Sequence, residues 1–479
     1  MKVVLFTLNA SWSHTCLALR CLREPLEREG FEVSLIERTL KDRTSHVLEE
    51  LWRERADVYS FSCYIWNIEQ MMSLARTLHE LLPGARIVLG GPEVSYDTER
   101  FDRESCVSAI ICGEGEEALP SLCRAIRDGK PHDRKLLGGK PCVMQDEGVL
   151  YRAGEGTGGI LYYESSRGCP YSCGYCLSSA TTGVRMKSVE QTLKDLMAFE
   201  TDGLDCRIIK FVDRTFNANP DRANCIWEGL LEEKYTKHYH FEVCASLLDE
   251  RSFELLSKFP KGKIQLEFGL QSTNHETLAE VSRHIDPKSV IQAVRRVHEM
   301  GNIHVHLDLI AGLPYESFDR FAQSFDDAYG SCDLLQLGFL KLLHGTKLRD
   351  RAEEYGYVAL PEAPYTVLQS TWISYEEMCS LSSVAEVLER FDESGRFTHA
   401  KSYALALADS PFAFWRGLGE YLSQKDSRPL QKISQPDAYR YFLEYVTETM
   451  PQIDEERLKE LLRADFSANE HKNAPYFLR

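Results

Sequence analysis

Short apolar runs of β type alternate with amphipathic helical stretches twice along this chain, and that alternation limits the fold more than any other feature. A helix between successive strands returns the chain to the same end of a sheet, so the strands run parallel. In the first series, strands are predicted at 2–9, 32–37, 57–63, 86–91 and 108–113, with helices at 15–29, 45–55, 67–82 and 114–128. This is an α/β pattern, a Rossmann-like parallel sheet that takes ligands beyond the carboxyl ends of its strands. In the second series, strands at 161–166, 207–213, 240–246, 263–269, 303–310 and 334–340 are separated by helices at 188–200, 221–234, 250–258, 287–300 and 315–328. Six such units form a partial or full (β/α) barrel or a second open sheet, and periodicity does not separate the two. A Gly- and Pro-rich segment lies between the series, with a hairpin expected around Glu147-Gly148 and a joint at 154–159. Beyond about residue 345 the pattern is mainly helical (374–392, 399–408, 412–423, 435–449, 455–464) and reads as a cap. The expected division is therefore 1–130, 131–160, 161–345 and 346–479.

Charge and cysteine usage narrow the setting. Against 73 Asp and Glu stand 56 Lys and Arg, a formal net charge of −17 over 479 residues. Phosphate backbones need clustered cations, so this balance argues against a nucleic-acid partner. No segment reaches the roughly 18 apolar residues of a membrane span, and MKVVLFTLNASWSH reads as a first strand and not as a signal peptide. Fifteen cysteines in so long a chain, without an export signal, suit a reducing cytoplasm, where most are small buried hydrophobes.

One group of cysteines departs from scatter. Residues 166–176 read Ser-Arg-Gly-Cys-Pro-Tyr-Ser-Cys-Gly-Tyr-Cys, placing Cys169, Cys173 and Cys176 on one loop just after a predicted strand. Thiolates select zinc, copper(I) or iron–sulfur clusters. A structural zinc site takes four ligands, usually as paired knuckles, and there is no second Cys-x-x-Cys and no His close by in sequence. Three ligands on one loop point to a [4Fe–4S] cluster with one iron left open. Zinc completed by a distant residue such as Cys206, or an incidental buried trio, are the other readings. Gly168, Pro170 and Gly174 suit a loop that wraps closely around a cuboidal object.

Cys-x3-Cys-x2-Cys with Tyr175 just before the last Cys resembles the signature of the radical S-adenosylmethionine (SAM) enzymes. The resemblance implies a full or partial barrel, with SAM chelating the open iron through its amino and carboxylate groups. It also implies that an electron from the cluster splits a sulfonium C–S bond to give methionine and a 5′-deoxyadenosyl radical. Downstream, Glu-Phe-Gly-Leu-Gln-Ser (267–272), Arg283 and His-Leu-Asp-Leu-Ile-Ala-Gly-Leu-Pro (306–314) resemble the oxygen-independent coproporphyrinogen oxidase branch. That resemblance implies SAM contacts at Tyr175, Gln271, Ser272, Arg283, Asp308 and Gly312. Many radical SAM enzymes carry Gly-Gly-Glu at the end of the second strand. This chain has Phe-Val-Asp-Arg-Thr-Phe (211–216), with Asp213 the substitute by position and Glu242 a further candidate. Arg283 is equally readable as a solvated helix residue, and either acid as a barrel-mouth ion pair. Asp308 lies in an apolar strand, where a carboxylate without a partner is costly.

The first series carries Val-Leu-Gly-Gly-Pro-Glu-Val-Ser (88–95) and Cys-Gly-Glu-Gly-Glu-Glu (112–117) at strand ends. Paired glycines let a ligand approach the backbone, and a helix starting near Glu114 offers free amides. Together with the second series they resemble the cobalamin-binding domain that precedes the barrel in one branch of radical SAM proteins. The cobalamin contacts so implied are Asn9, Ser11, His14, Ser62, Gly90, Gly91, Pro92, Glu93, Gly113, Glu114, Gly115 and Glu116. The Asp-x-His-x-x-Gly of classical cobalamin domains is missing. The first loop reads Asn9-Ala10-Ser11-Trp12-Ser13-His14, so a His ligand below cobalt is not expected, and His14 is at most an irregular one.

The resemblance implies a cytoplasmic enzyme that uses [4Fe–4S], SAM and cobalamin to methylate an unactivated carbon of a small-molecule or peptidic substrate. Its electron donor would be of flavodoxin or ferredoxin type. Cobalamin-assisted rearrangement or cyclisation, radical chemistry with the first domain empty, and a non-catalytic iron–sulfur or zinc interaction protein are the alternatives. No catalytic residue is identifiable. The tail aromatics Trp372, Tyr375, Phe412, Phe414 and Trp415 read as core before they read as a pocket.

Overall fold

The structure is a computed structural model that describes residues 1–138, 144, 149–155, 159–180, 183–470 and 475–478. The hairpin expected around Glu147-Gly148 lies outside the described residues, as does part of the joint at 154–159.

Six parallel strands form the first sheet: β1 (Lys2–Asn9), β2 (Glu32–Thr39), β3 (Val58–Ser62), β4 (Arg86–Gly90), β5 (Val107–Cys112) and β6 (Lys135–Leu137). Their order is β2-β1-β3-β4-β5-β6. The helices are α1 (Leu17–Arg28), α2 (Thr44–Glu54), α3 (Ile68–Leu81), the single turn α4 (Pro92–Ser95) and α5 (Ala118–Arg127). Successive β1 side chains enter different cores: Val3 and Leu5 pack with α1 and α5, and Val4, Phe6 and Leu8 with α2 and α3. Both faces are covered, which is why β1 is an almost unbroken apolar run. The order reverses between β1 and β3, and there the loops after both strands part to leave a crevice. β6 was not anticipated, since three residues show no periodicity.

The second sheet is β7 (Gly159–Tyr163), β10 (Cys206–Phe211), β11 (His238–Val243), β12 (Ile264–Gln271), β13 (His304–Ala311) and β14 (Leu334–Phe339), all parallel. A two-residue antiparallel ladder, β8 (Ser166–Arg167) with β9 (Arg185–Met186), brackets the cysteine loop. Spatial order follows chain order without reversal. Right-handed crossovers that all step the same way put α6 (Val189–Thr201), α7 (Pro220–Leu230), α8 (Glu250–Ser257), α9 (His275–Glu280), α10 (Pro287–His298) and α11 (Phe318–Ala328) on one face. That is barrel construction, and β7 and β14 do not pair among the described residues, so the barrel is partial. Side-chain oxygens of Ser188, Asn219, Asp249, Asp286 and Ser317 accept backbone N–H groups at the starts of α6, α7, α8, α10 and α11, and those starts lie within three residues of the sequence expectation.

The remaining elements are α12 (Lys347–Asp350), the hairpin β15 (Val358–Ala359) with β16 (Val367–Gln369), and the helices α13 (Tyr375–Val387), α14 (Thr398–Leu405), α15 (Pro411–Lys425), α16 (Gln435–Thr449) and α17 (Glu455–Glu470). Their core merges with that of the barrel: Phe412 stacks edge-on against Phe318 and Phe325 of α11. Phe412, Phe414 and Trp415 are therefore core residues, and Trp372 packs on Tyr315 and Tyr355. In the first series two helix starts come two or more residues later than expected. α1 begins at Leu17 because the preceding loop is held out by Asn9 Nδ2, which donates to the His14 carbonyl, and by the Cys16 N–H, which donates to Glu37. α5 begins at Ala118 and not near Glu114, because Glu114 and Glu116 are engaged elsewhere.

Candidate active site between two sheets

The cysteine loop is fastened at both ends by backbone. Gly168 has φ 99° and lies so close to the Gly183 carbonyl that no β-carbon fits. The Gly174 N–H donates to the Val281 carbonyl at 2.9 Å and its carbonyl accepts from Leu348 N at 3.1 Å. Cys169, Cys173 and Cys176 all line one cavity of about 190 Å³ at the carboxyl ends of the barrel strands. Cys206, the zinc ligand considered from sequence, is the first residue of β10 and is not among the residues that line this cavity. Burial raises the Cys169 thiol above its ordinary value. Arg283 Nη1 donates to Cys173 Sγ at 3.7 Å and its Nη2 to the Gly269 carbonyl.

The same cavity holds buried polar atoms without partners: Gln271 Oε1, Asp308 Oδ1 and Arg283 Nε. Such orphans are costly and mark a place where a polar ligand completes the bonding. Gln271 reaches in from a residue at φ 75°, where β12 bulges against β13. Glu242 and Asp308 face the cavity from β11 and β13. Burial, then Glu267, pushes Glu242 up to about 7; burial, then Glu267 and Glu242, pushes Asp308 up to about 8. Glu267 goes the other way, to about 2, because His240 Nε2 sits 3.0 Å from Oε2 and Lys210 lies near. His306, below them, is pushed down to about 4, chiefly by burial.

Of the SAM contacts expected from sequence, Tyr175, Glu242, Gln271, Arg283 and Asp308 line this cavity, and three do not. Asp213 is fully buried behind the loop, accepting from Ser165 N (2.8 Å), Ser165 Oγ (2.6 Å) and Ser166 Oγ (2.7 Å), so it anchors the strand end. Ser272 points to the opposite side of β12 from the cavity and donates to Glu316 at 2.5 Å. Gly312, at φ 90°, packs against Met378, Leu340 and Val367. Residues that the sequence reading did not single out are Tyr171, Arg214, Thr215, Cys244 and Glu267.

A second cavity, about 600 Å³, opens where the order of the first sheet reverses. Asn9, His14, Ser62, Gly90, Gly91, Gly113, Glu114, Gly115 and Glu116, nine of the twelve residues that the resemblance implied, line it. Gly91 has φ 104°, and a β-carbon there would lie 2.5 Å from the Cys63 carbonyl, so the backbone itself forms the wall. His14 is not free to act alone: its Nδ1 lies 2.6 Å from the Tyr162 hydroxyl of β7, and burial lowers its basicity. Ser11, Pro92 and Glu93 are outside the lining. Ser11 pairs with Ser13 at 2.7 Å, Pro92 opens α4, and Glu93 is buried against Arg100 (2.8 Å) and the Tyr365 hydroxyl. The far wall comes from the barrel: Tyr162, Glu164, Arg167, Val212 and Arg214.

Arg167 joins the two halves. Its guanidinium meets Glu164 (2.7 Å), Glu116 (2.7 Å) and Glu114 (3.2 Å), while its cross-strand neighbour Arg185 also pairs with Glu114. These carboxylates hold the arginine well above its ordinary value despite burial. The Gly-Glu-Gly-Glu turn thus clamps the start of the cysteine loop.

Family models match three stretches: the B12 binding domain over residues 3–123, the Radical SAM superfamily over 163–328, and a protein of unknown function, DUF4080, over 353–479. The chain is 26% identical over 353 residues to the cobalamin-dependent radical SAM methyltransferase TokK of Streptomyces tokunonensis, covering 64% of this chain and 50% of TokK. It is 25% identical over 320 residues to the hopanoid C-3 methylase of Methylococcus capsulatus, covering 62% and 60% respectively. The chain thus spans about half to three fifths of these relatives' length. Its fold is that of the cobalamin-dependent SAM radical enzyme OxsB (TM-score 0.65, 16% identity, 98% of this chain and 79% of that one). It is also that of the radical SAM methyltransferase TsrM from Kitasatospora setae (TM-score 0.63, 17% identity, 82% and 84%). The chain is a radical SAM protein with a B12-binding domain ahead of its partial barrel and a mainly helical DUF4080 region behind it.

Proposed function

We propose that this protein is a cobalamin-dependent radical SAM methyltransferase acting on an unactivated carbon. The observation that carries this reading is the meeting of two cavities: one with three thiols and orphaned polar atoms, the other glycine-walled and at the sheet's reversal. In this division of labour, residues 1–130 hold cobalamin, 161–345 hold the cluster and SAM, and 346–479 brace the barrel. Cys169, Cys173 and Cys176 are the ligands of a [4Fe–4S] cluster. Tyr175, Gln271, Arg283, Asp308 and Glu242 receive SAM, and Asn9, His14, Ser62 and the glycines at 90, 91, 113 and 115 receive cobalamin. Bound there, the three cofactors supply reductive SAM cleavage and a transferable methyl group.

The chain's own residues set the conditions. The Arg283 N–H toward Cys173 Sγ fixes that side chain in its place on the loop. Gln271 Oε1 and Asp308 Oδ1 offer acceptors to an ammonium group. The backbone bonds from Gly174 to Val281 and Leu348 keep the loop from opening to water. The remaining partners are a one-electron donor of flavodoxin or ferredoxin type and a small-molecule or peptidic substrate. Among the described residues no helix is long and apolar enough to cross a membrane.

Anaerobic reconstitution tests the reading. The protein is expected to turn brown with about four irons per chain, to retain corrinoid absorbance through desalting, and to release 5′-deoxyadenosine when given SAM and dithionite. A colourless zinc protein that releases none refutes it.

A further inference from the structure

Among the described residues one side chain lines both cavities: Arg214, three residues past the end of β10. It stands on the partition between the cobalamin cavity and the thiol cavity. Of the other arginines of these walls, Arg167 is committed to three glutamates, and Arg283 is held through both Nη atoms by Cys173 and Gly269, leaving only its Nε unpartnered. The Arg214 guanidinium is exposed and makes no hydrogen bond or ion pair among the described residues. Its charge acts on Glu242, with which it forms no ion pair. Asp213 is turned inward onto Ser165 and Ser166, and Glu242 is held only partly ionised at neutral pH by burial.

We propose that Arg214 is a positioning residue that binds a carboxylate or phosphate of the substrate, so that the substrate class is anionic. This rests on the methyltransferase reading above, because a carbon served by both cofactors has to lie at the partition where Arg214 stands. A guanidinium presents a rigid fork of N–H donors that matches a carboxylate or phosphate with two parallel bonds. Held by such a pair, an anionic substrate has its orientation fixed against both cavities. The rest of the thiol cavity carries the acids Glu242, Glu267 and Asp308 and one other guanidinium, Arg283, which is already held by Gly269 and Cys173. The Arg214 side chain could be claimed by the SAM carboxylate, and the experiment separates these sources.

The test uses the full chain carrying cluster, cobalamin and SAM, with radiolabelled inorganic phosphate and acetate as probes in equilibrium dialysis. One anion per chain is expected to bind, R214Q to weaken it at least tenfold, and R214K to restore part of the loss. SAM affinity is expected to move less than threefold in R214Q. Equal anion binding in R214Q and the parent protein, or none in either, overturns the proposal. A tenfold loss of SAM affinity in R214Q also overturns it, by giving Arg214 to the SAM carboxylate. Release of 5′-deoxyadenosine by the parent protein is read separately, so a failed function and a failed arginine assignment give different results.

Discussion

The two parallel sheets place their chemistry in different parts of the backbone. In the first sheet, β1, β3 and β5 are buried along nearly their whole length, because helices cover both faces. Its strands reach the cavity only near their carboxyl ends, at Asn9, Ser60, Ser62, Gly90 and Ile111, and the rest of its own lining comes from the turns and helices that follow them. In the second sheet, β12 and β13 alternate buried and half-buried residues. One face packs under helices, and the other carries Lys210, His240, Glu242, Gln265, Glu267, His306 and Asp308 into the barrel. A barrel interior is ordinarily filled by branched apolar side chains. Here the strands themselves bring titratable groups to the site. A doubly covered sheet binds with its loops, and a singly covered one binds with its strands.

The largest effect expected from breaking this arrangement lies in the barrel half. Replacing Cys169, Cys173 or Cys176 with alanine is expected to abolish both the iron chromophore and 5′-deoxyadenosine release, because two thiolates do not hold a cluster. Corrinoid retention, which depends on turns of the other sheet, is expected to fall far less. Iron analysis and visible spectra on each variant check this, and a fully coloured, active variant contradicts it.

The second effect concerns the seam. Arg167 balances Glu114, Glu116 and Glu164, all partly buried. Arg167→Ala leaves these carboxylates crowded, although Arg185 still pairs with Glu114. The cost is expected to be about 2 kcal/mol, below the 3–5 of a fully buried pair because solvent screens part of it. A thermal-melt comparison reads it, and Arg167→Lys should recover only part, since an ammonium cannot fork across several glutamates.

How legible all this is in the sequence depends on whether a signal is local. Apolar alternation is local, and every strand of the barrel lies where it was expected. Whether six βα units make a barrel or an open sheet depends on which strands neighbour one another, and strand order leaves no trace in periodicity. The cysteine spacing announces its loop. Asp213 was misread because a carboxylate at a strand end looks the same whether it faces a ligand or the backbone of Ser165. Ser272 follows a real cavity residue, Gln271, and one step along a strand reverses the face. Glu114 and Glu116 look like the acidic first turn of a helix, and only the folded chain brings Arg167 and Arg185 to them. Arg214 sits beside an acid that drew the attention, in a motif whose usual glutamate is absent.

A third, smaller effect compares one glycine from each half. Gly91 and Gly168 both have left-handed φ and both press on a carbonyl, that of Cys63 and that of Gly183. Alanine at either site strains the backbone by on the order of 1–3 kcal/mol. Gly91→Ala is expected to weaken corrinoid retention with iron content held, and Gly168→Ala to lower iron content with corrinoid held. If each variant disturbs both cofactors equally, the two halves are not separable in the way their sheets suggest.

The smallest effect is a slope. Asp308 ionises near 3.8 in an unfolded chain and is pushed up to about 8 in the folded one, first by burial and then by Glu267 and Glu242. Between those values the folded protein holds a proton that the unfolded chain has released. Stability from this group is therefore full below about pH 4, is lost as pH rises toward 8, and changes no further above that. A single proton contributes at most about 1.4 kcal/mol per pH unit, and the half-buried site will deliver only part of it. Asp308→Asn keeps the shape and removes the titration, so melting temperatures across pH 5 to 8 should decline less steeply in the variant than in the parent. In the first cavity the acids Glu114 and Glu116 are instead paired with Arg167. A parallel decline in parent and variant would mean that the acid is already ionised in the folded barrel. The polar inner face of the second sheet would then be solvated like a surface, and it would lose the property that distinguishes it from the turns of the first.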